Sequence, residues 1–277
     1  MHPVVASFPL DRRRFIGGCL AIVSTAVASA RLAAAQMTTP TSAGTPDPKL
    51  VEDLVAANRI LVDQGVLDGY GHVSVRHDRA PDRYLMSRSL APELVTAADI
   101  MEYDLDSNAV DPRGRTSYLE RFIHGEIYRV RPDVKAVVHH HSPSVIPFGV
   151  TTSRLRPIYH MASFLVDDVP VFEIRQAAGM TDMLVRDGAL GRALAQSLGT
   201  KPTALMRGHG AVVVGPTIVH AVARSVYMEM NAKLQAQAMA LGPVTYLEPE
   251  EARKADATIS GTYGRPWELW KRKALSR

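Results

Sequence analysis

The chain has 277 residues, 46% of them hydrophobic and 22% charged, an ordinary globular composition that suffices for one large buried core or two small ones, with one domain the default. Its formal net charge of +4 comes from basic residues scattered along the sequence, whereas a nucleic-acid binder gathers them on one face. The C-terminal run of Trp267, Trp270, Lys271, Arg272, Lys273 and Arg277 is a late basic cluster that reads as a solvated terminus, so no nucleic-acid partner is expected.

The N-terminus reads as an address. Arg12-Arg13-Arg14-Phe15-Ile16 precedes a weakly apolar run from Gly17 to Ala30, and Ala33-Ala34-Ala35 offers small residues to a signal peptidase. A twin arginine followed by one residue, a Phe and an aliphatic is similar to a twin-arginine export signal, which implies cleavage near Ala35 and a periplasmic mature protein. The run is broken by Gly, Ser and Thr and falls short of the ~20 residues that span a bilayer, so residues 1–35 are expected to leave no membrane anchor. Cys19 is the sole cysteine and lies inside that segment, so no disulfide is expected in the mature chain. Residues 36–48, rich in Pro and Thr, read as a flexible linker, and the folded domain is expected over 49–277.

From Leu50 to Gln64 apolar residues recur at a helical period that ends at Gly65. Gly71–Arg76 and Tyr84–Ser87 alternate like the strands of a hairpin, and Ile100–Leu105 reads as a strand closed by the turn Asp106-Ser107-Asn108. A helix is predicted over Leu119–Val130, stopped by Arg131-Pro132-Asp133, followed by a short buried strand over Val134–Val138. Further helices are predicted over Pro143–Val150, Asp182–Leu198 and Ile218–Leu241, and further strands over Ala204–Met206 and Ala211–Val214. Strands and helices thus alternate, without internal repeats, as in one α/β domain.

Val137-Val138-His139-His140-His141-Ser142 puts three histidines where a buried strand emerges. Residues i and i+2 of an extended segment share a face, so His139 and His141 can approach one ion while His140 turns away. Neutral imidazole is a common metal ligand, although a polar surface turn accounts for the same spacing. Arg207-Gly208-His209-Gly210, between two predicted strands, offers a third ligand or else a plain turn.

The order Glu120, then Val137-Val138-His139-x-His141, then His209-Gly210 resembles the class II aldolase/adducin family over about Leu50 to Leu241. The resemblance implies a three-layer α/β/α domain around a mostly antiparallel sheet, assembled as a homo-oligomer, with a tetramer expected. It also implies that His139, His141 and His209 hold a divalent metal and that Glu120 is the catalytic acid/base. Three imidazoles leave coordination positions open for a substrate oxygen, as a catalytic site requires. Zinc is the first expectation for such a set, and manganese, iron, cobalt, nickel and copper also accept it. Since members of the family often build active sites between subunits, Tyr227, Tyr246 and Tyr263 are candidate contributors. Adducin-type relatives keep the fold and lose the ligands, but here all three histidines and Glu120 are present.

The sugar-phosphate members of the family hold phosphate on a Gly-Asn-x-Ser motif, a Ser-Gly turn and a Ser-Ser pair. This chain has Gly71-His72-Val73-Ser74, Arg88-Ser89 and Tyr118-Leu119 in their places, so a phosphorylated substrate is not expected. A wall of His72 and Tyr118 with Arg88 suits an aromatic or unsaturated carboxylate, with Arg88 either clamping the acid or lying on the surface and Arg207 a second candidate for that clamp. Tyr159-His160-Met161-Ala162 and Leu205-Met206-Arg207-Gly208-His209-Gly210 add likeness to the decarboxylase branch, which acts on hydroxylated aromatic acids or carboxy-muconic semialdehydes. A metal-dependent carboxy-lyase is therefore expected, with retro-aldol cleavage or epimerisation of a small hydroxy-acid or sugar as the alternative. His160 reads either as a hydrogen-bonded core histidine or as a second acid/base, and His124, one helical turn after Glu120, as a support for the helix or for Glu120.

Overall fold

The computed structural model describes residues 40–276. The segments expected to be an export signal, its cleavage site and the first residues of a linker lie outside the described residues. The remainder of the linker lies along the domain, where Ser42 Oγ and the Ala43 amide both donate to the Glu102 carboxylate.

Helix α1 (Pro48–Asp63) starts where the Asp47 carboxylate accepts the Lys49 amide and Pro48 takes the first helical position, a placement in which its missing N–H costs nothing. Strands β1 (His72–Arg76), β2 (Arg83–Ser87) and β3 (Ile100–Asp104) form an antiparallel meander. A 3₁₀ turn over Leu119–Arg121, bent at Glu120, leads into α2 (Phe122–Val130). Strand β4 (Ala136–His140) is followed by the short α3 (Ile146–Val150), then β5 (Val171–Phe172), α4 (Ile174–Ala178) and α5 (Gly188–Leu198). Strands β6 (Thr203–Met206) and β7 (Gly210–Gly215) precede the long α6 (Ile218–Leu241) and the C-terminal pair α7 (Pro249–Ile259) and α8 (Gly264–Leu275). None of these helices is long and apolar enough to cross a membrane.

The seven strands lie in the order β3-β2-β1-β4-β7-β6-β5, antiparallel throughout except at the β5–β6 edge. Alternation along β4 divides the core: Ala136 and Val138 pack with α1, α6 and α8, while Val137 packs with α2 and α5 on the other face. The result is the expected α/β/α sandwich around a mostly antiparallel sheet.

Four expectations need correction, the first being the helix expected from Pro143, which starts at Ile146. The strand expected over Val134–Val138 runs two residues later and includes His139 and His140, because its ladder with β1 and β7 continues to those positions. The helix expected from Asp182 starts at Gly188, where the Asp187 carboxylate accepts the Leu190 amide. The basic C-terminus is no solvated tail: Trp267, Trp270 and Ala274 form one buried face of α8, and Lys271 ion-pairs with Glu52 and Asp53 of α1. Tyr227 and Tyr263 pack within this same core, their ring centroids 6.2 Å apart. Tyr246 lies beneath Arg156 at 4.0 Å.

Candidate metal centre

The site lies where the end of β4 meets the turn between β6 and β7. His139 is buried in the ladder, paired with His72 on one side and Val212 on the other. Its Nδ1–H donates to the Ala211 carbonyl at 3.1 Å, which turns Nε2 outward as a lone pair. His209 is set by the same device, Nδ1–H donating to the Met183 carbonyl at 3.0 Å. Gly208, at φ 63, makes the turn that presents it. Gly210 allows the close approach of the strands, since a Cβ there would lie 2.0 Å from the His140 carbonyl oxygen.

His141 completes the set. Its Nε2 stands 3.0 Å from Nε2 of His139 and 3.0 Å from Nε2 of His209. Glu120 reaches the same point from the bend before α2: one carboxylate oxygen accepts the Val185 amide at 2.9 Å, and the other lies 3.5 Å from His139 and 3.4 Å from His209. All four ligand atoms fall within 4.8 Å of one another. His140 turns to the opposite face, its Nδ1 bonded to Ser142 Oγ at 2.7 Å.

This donor set fits a divalent cation. His139 and His209 each commit an N–H to a backbone carbonyl, so both face His141 with lone pairs. A proton on His141 serves one neighbour and not both, and burial followed by the proximity of His139 and His209 pushes His141 down to about 4. Burial raises the Glu120 carboxyl, but the proximity of His139 and His209 outweighs it and holds the group far below the usual carboxylate range. Three neutral imidazoles and one carboxylate around one point are a ligand environment for zinc or a similar ion.

A cleft of about 310 Å³ opens beside the cluster, and His72, Ser89, Leu90, Tyr118, Glu120 and His141 are among its walls. The Tyr118 ring tilts over His72 with centroids 4.6 Å apart, and its hydroxyl bonds to the Leu90 carbonyl. A wider groove of about 860 Å³ beneath residues 42–48 contains none of the cluster residues.

The structure thus brings together Glu120, His139, His141, His209, His72 and Tyr118. It does not bring Arg88, Arg207 or His160 to the cleft wall. Arg88 is engaged 2.6 Å from Asp99, and Ser89 lines the cleft in its place. Arg207 is paired with Glu173 at 2.6 Å and lines a separate crevice behind His209. His160 is exposed at the start of a 3₁₀ turn over His160–Leu165, edge-on to Tyr159. Sequence reasoning missed Tyr70, Leu90 and Leu184 on the cleft wall and the Val185 amide that holds Glu120. A backbone donor from a distant loop leaves no side-chain signal. It also missed the role of Ser74, the last residue of the quoted Gly71-His72-Val73-Ser74 motif, which bonds His124.

Comparison with known proteins shows the family. Residues 52–236 match the Class II Aldolase and Adducin N-terminal domain. The chain is 37% identical to Decarboxylase tropJ of Talaromyces stipitatus over 246 residues, covering 80% of this chain and 92% of that protein. It is 31% identical to the 3,4-dihydroxyphthalate decarboxylase of Arthrobacter keyseri, covering 69% of this chain and 79% of that one. Its fold matches the L-fuculose 1-phosphate aldolase from Glaciozyma antarctica PI12 at a TM-score of 0.67 and 23% identity, over 82% of this chain and 88% of that one. The chain belongs to the class II aldolase and adducin family, on the side of its decarboxylase branch.

Proposed function

We propose that the protein is a divalent-metal-dependent carboxy-lyase whose substrate is a non-phosphorylated hydroxylated aromatic or unsaturated hydroxy/oxo acid. The observation that carries this reading is the convergence of three Nε2 atoms and the Glu120 carboxylate at the mouth of a cleft walled by Tyr118, His72 and Leu90. At about 310 Å³ the cleft has room for a single-ring acid. Where the sugar-phosphate members carry small phosphate-binding donors, this chain presents rings and an aliphatic side chain. The decarboxylase relatives, one of which is named for a dihydroxylated aromatic diacid, support the same class.

His139, His141 and His209 would hold the ion, zinc being the first choice, and when bound it supplies Lewis acidity toward a chelating substrate oxygen. The aromatic walls orient the ring, with Leu90 and Leu119 as apolar neighbours. Glu120, ionised in the resting site, takes the proton of the substrate hydroxyl as the acid binds. The bond to the carboxylate carbon then breaks, CO₂ leaves, and the electron pair stays on the ring carbon. Glu120 returns its proton to that carbon, and solvent restores the hydroxyl proton.

A panel of hydroxylated benzoic and phthalic acids, incubated with metal-loaded protein and read by mass spectrometry for loss of CO₂, tests this. Turnover confined to sugar phosphates would overturn it. The twin-arginine address and the homotetramer belong to the same proposal. Changing Arg12-Arg13 to Lys-Lys should block export of a reporter fused to residues 1–40, and light scattering should give four chains per particle. Export that survives the change, or a monomer at micromolar concentration, contradicts the respective claim.

A further inference from the structure

A chain of buried side chains runs away from the cleft behind the metal ligands. His72 Nδ1 lies 2.7 Å from Nε2 of His124, His124 Nδ1 lies 2.6 Å from Ser74 Oγ, and Ser74 Oγ lies 2.8 Å from the Tyr128 hydroxyl. All four residues are buried, and only His72 reaches the cleft. The direction of the hydrogen bonds follows from the Tyr128 end. Among the described residues the hydroxyl has one side-chain partner, Ser74; the Val137 backbone also meets it, as an N–H that favours the phenolate, and the Arg76 guanidinium lies over its ring at 4.7 Å, so neither of these accepts its proton. If Ser74 donated to Tyr128, the phenolic O–H would be buried without an acceptor. Tyr128 therefore donates to Ser74, Ser74 donates to His124 Nδ1, and His124 donates from Nε2 to His72 Nδ1. Every donor behind His72 is then paired, and the one left over is the proton on His72 Nε2, the nitrogen without a hydrogen bond among the described residues, on the one member of the chain that lines the cleft.

The cleft wall supplies the second half of the argument. None of the described residues lining it is Lys or Arg, and both arginines expected to clamp an acid are committed elsewhere, Arg88 to Asp99 and Arg207 to Glu173. A carboxylate that leaves as CO₂ loses its charge in the transition state, so an ion pair would hold the ground state more tightly than the transition state and slow the step. A neutral N–H orients the group without that penalty.

We propose that His72 is a fixed neutral donor to the departing carboxylate, and that Tyr128, Ser74 and His124 are positioning residues that set its tautomer. The carboxylate as ligand rests on the carboxy-lyase reading; the direction of the chain does not. Solid-state ¹⁵N spectroscopy on metal-loaded enzyme with labelled histidine, the His72 signals being identified by their loss in His72→Gln, should show Nδ1 unprotonated and Nε2 protonated. Ser74→Ala should mix the two tautomers and raise KM for a hydroxylated aromatic acid about tenfold, whereas Ser74→Thr, which keeps the hydroxyl, should restore both. A proton on Nδ1 of wild-type His72 overturns the proposal, as does a Ser74→Ala enzyme with unchanged tautomer and KM. The tautomer is read without turnover, so an enzyme that releases no CO₂ would defeat the proposed reaction and leave the hydrogen-bond direction to be judged on its own spectrum.

Discussion

At the scale of single residues, Glu120 and His139 lie within 3.5 Å of each other and are expected to fail differently. The Glu120→Gln amide oxygen can still accept the Val185 N–H, so the variant should keep fold and metal while losing about 10²–10⁴-fold in turnover, the usual weight of a general acid/base. His139→Ala should lose metal and activity together. Steady-state kinetics beside elemental analysis separates the two, and a Glu120→Gln protein that drops its metal would make Glu120 an essential ligand. The four central residues were legible because polar groups at the end of an apolar strand, with matching partners upstream and downstream, have few other uses. Arg88 and Arg207 were not legible as ion-pair members. Their partners, Asp99 and Glu173, come from separate segments, and charge alone does not say which acid an arginine will meet.

At the scale of elements, the site depends on how closely β7 lies against β4. A Cβ at Gly210 would meet the His140 carbonyl oxygen at 2.0 Å, so Gly210→Ala must push the two strands apart and move His209 off the common point. Supporting positions of this kind cost about 10- to 100-fold in metal affinity when lost, and a chelator-competition titration should show that fall. Unchanged affinity would mean that the turn tolerates the shift. Most elements of the sheet and the long helices were legible from periodicity. Those missed were β5 and α4, too short for a period to register, and the C-terminal helices α7 and α8, the latter with its Trp267, Trp270, Ala274 stripe hidden among five basic residues from Arg265 to Arg277. The burial of that stripe and the docking of Lys271 against Glu52 and Asp53, more than two hundred residues away, show that the tail is part of the core.

For the molecule as a whole, the burial of histidines that hold no metal sets its acid stability. Burial, followed by the proximity of His139, pushes His124 down to about 3, and burial pushes His140 down to about 3. Freed by unfolding, each titrates near roughly 6.5. Between roughly pH 6.5 and 3 the unfolded chain then binds more protons than the folded one, and stability falls as pH falls. Chelator-treated protein should therefore melt at progressively lower temperature across that window, and a melting temperature flat from pH 7 to pH 4 would contradict the burial of these rings as neutral groups. The reaction itself is tested most directly by removing and restoring the ion. Protein stripped by chelator should release no CO₂ from a hydroxylated aromatic acid that the untreated protein decarboxylates, and stoichiometric zinc or a related divalent ion should restore the rate. Equal rates with and without metal would contradict the account.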